Sequence, residues 1–213
     1  MDHPADEKSE INEPGNPERC LERSYALTRS RTPRVLTGPM ATRLLLMADT
    51  HVPKRARDLP GQVWTEMKDV DVVVHAGDWV DEQLLDEVDA RSRQLIAVWG
   101  NNDHGVFRER LPEVARVELE GLRLGVVHET GPAKGREDRC GARFADLDVL
   151  VFGHSHIPWD TRTATGLRLL NPGSPTDRRR QPACTYMTAT ADRGRLRDVV
   201  LHSIPVIRPR ART

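Results

Sequence analysis

Five short apolar runs, at 44–48, 70–74, 95–98, 122–127 and 149–152, limit what this chain can fold into more than any other feature. Each is rich in Val, Leu or Ile without strict polar alternation, the pattern of a strand buried on both faces. Between the second and third runs, Asp81 opens a segment with apolar residues at Leu84, Leu85 and Val88, the spacing of an amphipathic helix behind an acidic start. Strand, helix, strand is the order of an α/β domain. After Gly153 the pattern becomes strand only: segments at 159–163, 167–170, 185–189 and 196–201 are separated by Gly166, by Asn171, Pro172 and Gly173, and by Asp192, Arg193 and Gly194. These predict antiparallel hairpins that close a second sheet.

All five runs stop at residues that bind metals. Asp49, Thr50 and His51 follow the first; His75, Ala76, Gly77 and Asp78 the second; Gly100, Asn101, Asn102 and Asp103 the third; His128 the fourth; Gly153, His154, Ser155 and His156 the fifth. In α/β sheets the carboxyl ends of the strands form the crevice where ligands bind. Taken singly, most of these residues have an ordinary reading: Asp49, Asp78 and 101–103 as turn formers, His128 as a hydrogen-bonded core histidine. His154 and His156 are harder to discount, because two imidazoles straight after an apolar strand stand where a core prefers no polar group. Together Asp49, His51, Asp78, Asn101, His128, His154 and His156 are seven donors, which suit two metals sharing a carboxylate. Mixed imidazole and oxygen donors fit Mn, Fe, Ni or Zn rather than a cage for Ca or Mg alone.

In this order the motifs Asp-x-His, Gly-Asp, Gly-Asn, a lone His and Gly-His-x-His resemble those of the calcineurin-like metallophosphoesterases, over roughly residues 43–201. Gly100, Asn101 and Asp103, with Asn171, Pro172, Gly173 and Ser174 further on, are most similar to the small prokaryotic phosphodiesterase branch (YfcE-type), itself related to the retromer scaffold subunit. The resemblance implies a single-domain α/β fold, a two-sheet β-sandwich flanked by helices in four layers. It also implies that Asp49, His51 and His156 hold one metal, that Asn101, His128 and His154 hold the other, and that Asp78 bridges them, with Mn as first choice and Ni, Fe or Zn as alternatives. The implied activity is hydrolysis of a small phosphodiester by in-line attack of metal-bound hydroxide, with Asp78, Asn101, Asn102 and Asp103 as the catalytic group. Two alternatives stand beside it: a non-catalytic metal-binding scaffold, whose mark is loss of ligands, and a nuclease.

Three positions depart from the family pattern. Asn102 stands where many members carry a His; an amide can hydrogen-bond a phosphoryl oxygen but cannot deliver a proton. Asp103 fits an orienting carboxylate, and His104 is either a substitute acid or an exposed loop histidine. Glu129 follows His128 where the branch commonly has Gly, adding a carboxylate that alters the pocket or repels anionic substrates. Lys134 and Arg136 read as a solvated turn or as phosphate contacts, and Arg178, Arg179 and Arg180 as a wet hairpin tip or a phosphate clamp. His75 steadies a ligand or is structural. Core packing is favoured for Trp79 and Trp159 over walling a substrate.

Charge and cysteine content set the remaining bounds. With 32 basic and 32 acidic side chains the formal net charge is zero, and no basic stripe favours a nucleic-acid substrate over a small one. The apolar runs fall far short of the ~18 residues of a membrane span, and no secretory pattern is visible at the start. Cys20, Cys140 and Cys184 are widely spaced, which predicts free thiols and a cytoplasmic setting. Residues 1–39 are charged and interrupted by Pro4, Pro14, Pro17 and Pro33, predicting a disordered extension before a domain at 40–207 and a flexible basic tail at 208–213. Met40 offers an alternative start, and self-association into a homo-oligomer is left open.

Overall fold

A computed structural model describes residues 41–205; the expectations for 1–39, Met40 and 208–213 lie outside the described residues. Two five-stranded mixed sheets pack face to face. The first contains β1 (Thr42–Met47), β2 (Val72–Ala76), β3 (Leu95–Val98), β9 (Cys184–Asp192) and β10 (Arg195–Ile204), in the order β10-β9-β1-β2-β3. The second contains β4 (Val114–Leu119), β5 (Leu122–Val127), β6 (Val149–Phe152), β7 (Trp159–Arg162) and β8 (Arg168–Asn171), in the order β4-β5-β6-β8-β7. Helices α1 (Gly61–Asp69), α2 (Glu82–Arg91), α3 (Val106–Arg110) and α4 (Arg136–Arg143) complete the chain.

The continuous apolar runs are explained by what covers each face. Leu44, Leu46, Val72 and Val74 point between the sheets to meet Leu124, Val126, Val149 and Val151. Their neighbours Leu45, Met47 and Val73 point outward, under Val63 and Met67 of α1 and Leu84, Leu85 and Val88 of α2. On the far side, Cys140 and Phe144 cover Leu150 and Phe152 of β6. Helices, sheet, sheet and helix therefore form four layers in a single domain. Burying one such leucine contributes roughly 1.5–3 kcal/mol. Asp81 caps α2 by accepting the Gln83 N–H.

The chain's last hairpin departs from expectation. β9 and β10 are antiparallel, but β9 pairs with β1, so the hairpin widens the first sheet instead of closing the second. Of the late strands only β7 and β8 join the second sheet, where β8 lies parallel to β6. Hydrophobic alternation marks a strand without naming the sheet it joins. In addition, β2 starts two residues later than the apolar run, because Val70 packs in the helix-side core instead.

Candidate metal centre

The parallel strands β1, β2 and β3 of one sheet, and β5 and β6 of the other, all end at one rim of the sandwich. The turns there are tied to each other. Asp49 donates its N–H to the Gly77 carbonyl at 2.9 Å, and His51 to the Asp78 carbonyl at 3.1 Å. His75 sits fully buried beneath both turns: Nδ1 accepts the Gly77 N–H at 3.2 Å, which leaves Nε2 as the protonated nitrogen facing Thr50 Oγ1 at 3.1 Å. Its ring stacks on Trp79, whose indole donates to the Val98 carbonyl. His75 thus steadies two donor-bearing turns, and Trp79 belongs to the core.

Asp103 organises the third turn. Its buried carboxylate accepts four backbone N–H groups, from Asp78 and Gly100 at Oδ2 and from Trp79 and Val80 at Oδ1, all at 2.8–2.9 Å. The turns meet so closely that a Cβ on Gly100 would lie 2.3 Å from Asp78 Oδ1, so only glycine fits there. Asp49, His51, Asp78, His154 and His156 all have left-handed backbone, with φ between 45° and 70°. Left-handed backbone at non-glycine residues costs energy and clusters at functional sites.

These turns bring the predicted donors together. His51 Nε2 and His156 Nε2 face each other at 3.2 Å, and His156 Nε2 lies 3.5 Å from Asp49 Oδ1. Across the crevice, Asn101 Oδ1 lies 3.0 Å from His128 Nε2 and 2.9 Å from His154 Nδ1. Asp78 stands between the groups, one oxygen 3.5 Å from His51 Nε2 and the other 3.4 Å from His128 Nε2. By proximity alone, Asp49 belongs to two triads of donors, one with His51 and His156 and one with Asp78 and His128.

Outer contacts select which nitrogen of each ring faces inward. His128 Nδ1 lies 2.7 Å from the Ala76 carbonyl, and His156 Nδ1 lies 2.7 Å from the Asp177 carbonyl. Each Nδ1 must therefore donate, leaving Nε2 as the inward group. For His154 the arrangement is reversed: Nε2 lies 3.4 Å from the Glu129 carboxylate, and Nδ1 faces Asn101. Glu129, expected to reshape the pocket or repel anions, is placed to orient His154. Metal-ligating histidines characteristically have such a partner on the remote nitrogen.

The electrostatics describe a donor set short of positive charge. Burial, with the nearby Asp78 charge, pushes the Asp49 carboxyl up to about 8 against the opposing pull of His128. Burial also raises the Asp78 carboxyl, but hydrogen bonds from His128 and Asn102 outweigh it and hold the group well below the usual carboxylate range. At His128 burial disfavours the imidazolium, yet Asp78 and Asp49 prevail and raise it to about 9. Burial lowers His156 to about 4. Asp49 Oδ2 is buried without any hydrogen-bond partner. An orphaned carboxylate oxygen, two facing imidazole nitrogens and a mixed nitrogen and oxygen donor set fit divalent cations at this rim.

Several expected site residues take other positions. Asn102 is exposed, and both its backbone N–H and its amide donate to Asp78, at 2.9 and 2.7 Å, so it holds that carboxylate. His104 is exposed. Arg136 is 5% exposed, which corrects the solvated-turn reading for this residue. The loop after β8 contributes more than its sequence suggested: Ser174 Oγ donates to the Asp49 carbonyl at 2.7 Å, Thr176 Oγ1 to the Thr50 carbonyl, and Arg179 Nη1 to the His154 carbonyl at 3.3 Å. Pro172, Gly173 and Ser174 signal a turn in sequence, but nothing local reveals that this loop fastens two donor-bearing turns. Cys140 and Cys184 are free thiols. Among the described residues no helix is long and apolar enough to cross a membrane.

Comparison with known proteins adds to this geometry. Residues 42–194 match the family model of the calcineurin-like phosphoesterase superfamily domain. A probable metallophosphoesterase of Methanothermobacter thermautotrophicus is 36% identical over 135 residues, covering 62% of this chain and 76% of that protein. A second, from Methanocaldococcus jannaschii, is 36% identical over 137 residues, covering 62% of this chain and 67% of its own. Among solved structures, a Thermotoga maritima protein superposes with a TM-score of 0.62 at 33% identity, covering 76% of this chain and 99% of the other. Vps29 of Chaetomium thermophilum superposes with a TM-score of 0.64 over 76% of this chain and 97% of its own, and at 18% identity that likeness concerns the fold alone.

Proposed function

The chain belongs to the calcineurin-like phosphoesterase superfamily, and on that premise we propose that it hydrolyses a small phosphodiester with two divalent cations, Mn being the first candidate. The observation that carries this reading is the undiminished donor set: seven potential donor residues from five strand ends lie close together at one rim, with a buried carboxylate oxygen left over. Asp49, His51 and His156 would hold one cation, Asn101, His128 and His154 the other, with Asp78 between. When bound, such cations supply Lewis acidity at phosphoryl oxygens and bring the pKa of water towards neutrality.

The chain's own residues supply position and selectivity. Asn102 keeps the Asp78 carboxylate turned into the crevice, and Asp103 fixes the turn carrying both. Arg179, anchored against the His154 carbonyl, would hydrogen-bond a non-bridging phosphoryl oxygen. No acid stands at Asn102 to protonate a departing alkoxide, so esters with acidic leaving alcohols are favoured. A scaffold would not need seven donors retained at an energetic cost in burial and backbone strain.

The deciding experiment measures hydrolysis of bis(4-nitrophenyl) phosphate by chelator-stripped protein and after addition of Mn. Turnover should be absent in the first state and restored in the second. Equal rates in chelator and in Mn would overturn the assignment.

A further inference from the structure

Beside the metal centre lies a second recess of about 430 Å³, sharing His154 and Glu129 with it. Its walls include Pro132, Ala133, Ile157 and Trp159. A volume of this size lies within the ~300–1,000 Å³ of small-molecule sites. Among the described residues Arg136 is the one Lys or Arg lining the recess, and its surroundings are unusual. The side chain lies against two aromatic rings, with its guanidinium carbon 4.8 Å from the Phe152 centroid and 4.7 Å from that of Trp159. Among the described residues no carboxylate comes within 4.0 Å of it. The adjacent acid, Glu137, instead accepts the Thr161 hydroxyl at 3.0 Å. Arg136 Nε is buried with no acceptor, and among the described residues the guanidinium makes a single hydrogen bond, a long one of 3.5 Å from Nη2 to the Gly131 carbonyl.

A shielded cation without a counter-ion is costly, and stacking on aromatic rings offsets only part of that cost. Stacking on aromatic faces restrains a guanidinium plane, and an unpartnered N–H such as Nε suits a carboxylate or phosphate acceptor. Glu129, the recess's acid, is turned to His154 and marks the side nearest the metal centre. Because His154 belongs both to the donor set and to the recess wall, an ester held at the metal centre would extend into the recess along its apolar walls towards Arg136.

We propose that this recess is a subsite for a second anionic group of the substrate, bound by Arg136, so that the preferred ester carries a carboxylate or a further phosphate on its non-leaving alcohol. The inference rests on the phosphodiesterase reading for its catalytic consequence. The recess explains why an arginine is withdrawn from solvent at 5% exposure without a carboxylate beside it.

Three matched 4-nitrophenyl phosphodiesters test it, with ethanol, glycolate or 2-hydroxyethyl phosphate as the second alcohol, assayed with Mn-loaded full-length protein. The glycolate or the hydroxyethyl phosphate ester should exceed the ethyl ester in kcat/KM by at least ~10-fold, and whichever arm leads identifies the anion. Arg136→Met should abolish that preference, and Arg136→Lys should retain part of it, which separates charge recognition from loss of packing. The same ratio in wild type and both variants would overturn the proposal. A wild type that cleaves none of the three defeats the phosphodiesterase reading alone. In that case calorimetric titration of the same protein with ethylphosphonate and 2-carboxyethylphosphonate decides the subsite: a preference for the carboxylated probe that Arg136→Met removes supports it, and equal affinity in wild type overturns it.

Discussion

The two rims of the sandwich use similar side chains to opposite ends. At the amino ends of the parallel strands, Asp71 accepts the Arg43 N–H at 2.9 Å and pairs with Arg93 at 2.9 Å. In the other sheet, Asp148 accepts the Arg123 N–H at 2.9 Å and binds its guanidinium through two further bonds, at 3.0 and 2.7 Å. The aspartate N–H groups return the contact, Asp71 to the Arg43 carbonyl and Asp148 to the Arg123 carbonyl, each at 2.9 Å. Both sheets thus close their amino rim with the same exchange between Asp and Arg, in water and with counter-charges in place. At the carboxyl rim, Asp49 and Asp78 are 0% and 1% exposed, lie beside imidazoles on left-handed backbone, and among the described residues have no Lys or Arg within 4.0 Å. Exposed pairs stabilise little and need nothing further. Crowded buried carboxylates destabilise a fold and create affinity for cations.

If the rims differ in this way, substitutions should separate them. The largest effect is expected from Asp78→Asn, which keeps the shape but removes the shared charge: turnover should fall by at least ~10³-fold while the unfolding free energy from urea titration changes by less than ~1 kcal/mol, and comparable turnover would erase the distinction. Asp103→Ala should act on the scaffold instead. It strands four backbone N–H groups, three of them on buried residues, so equilibrium unfolding should show a loss of ~3 kcal/mol or more, with Mn affinity falling alongside in calorimetry. Asn102→His supplies the missing acid, and the rate for an alkyl diester should rise by ~10-fold relative to an aryl diester, because only the poor leaving group needs protonation.

Asp148→Asn at the amino rim should do least, costing ~0.5 kcal/mol with turnover intact. Its sign with pH is fixed by the Arg123 hydrogen bonds, which hold the Asp148 carboxyl below its usual value. A depressed carboxylate contributes stability that is fully present above the unfolded value of about 3.9 and disappears as pH falls through the folded one. The variant should therefore differ from wild type at pH 7 and converge with it in acid unfolding curves. A difference that grows below pH 4 would contradict this account of the rim.

Much of the centre was legible because its residues sit at strand ends, where apolar runs stop and polar residues start. Asp49, His51, Asp78, Asn101, His128, His154 and His156 follow that rule, and their order carries the family resemblance. Other features rest on contacts between residues far apart in the chain. Thr176 reaches the carbonyl of Thr50, 126 positions earlier, and no spacing rule foresees it. Glu129 has meaning only once His154 lies 3.4 Å away. Arg136 reads as polar loop because its neighbours Gly131, Pro132 and Lys134 are turn residues, and its burial depends on Phe152 and Trp159 from the second sheet.

By itself the sequence determined the strands covered on both faces, the α/β class and the donor types that end each parallel strand, since these follow from local periodicity and side-chain chemistry. Only the tertiary structure decided that β9 and β10 extend the first sheet, which imidazole nitrogen faces the centre, and that one arginine lies shielded without a counter-ion. Those outcomes depend on which distant surfaces exclude water together, and a one-dimensional pattern carries the tendency to be buried but not the identity of the neighbours.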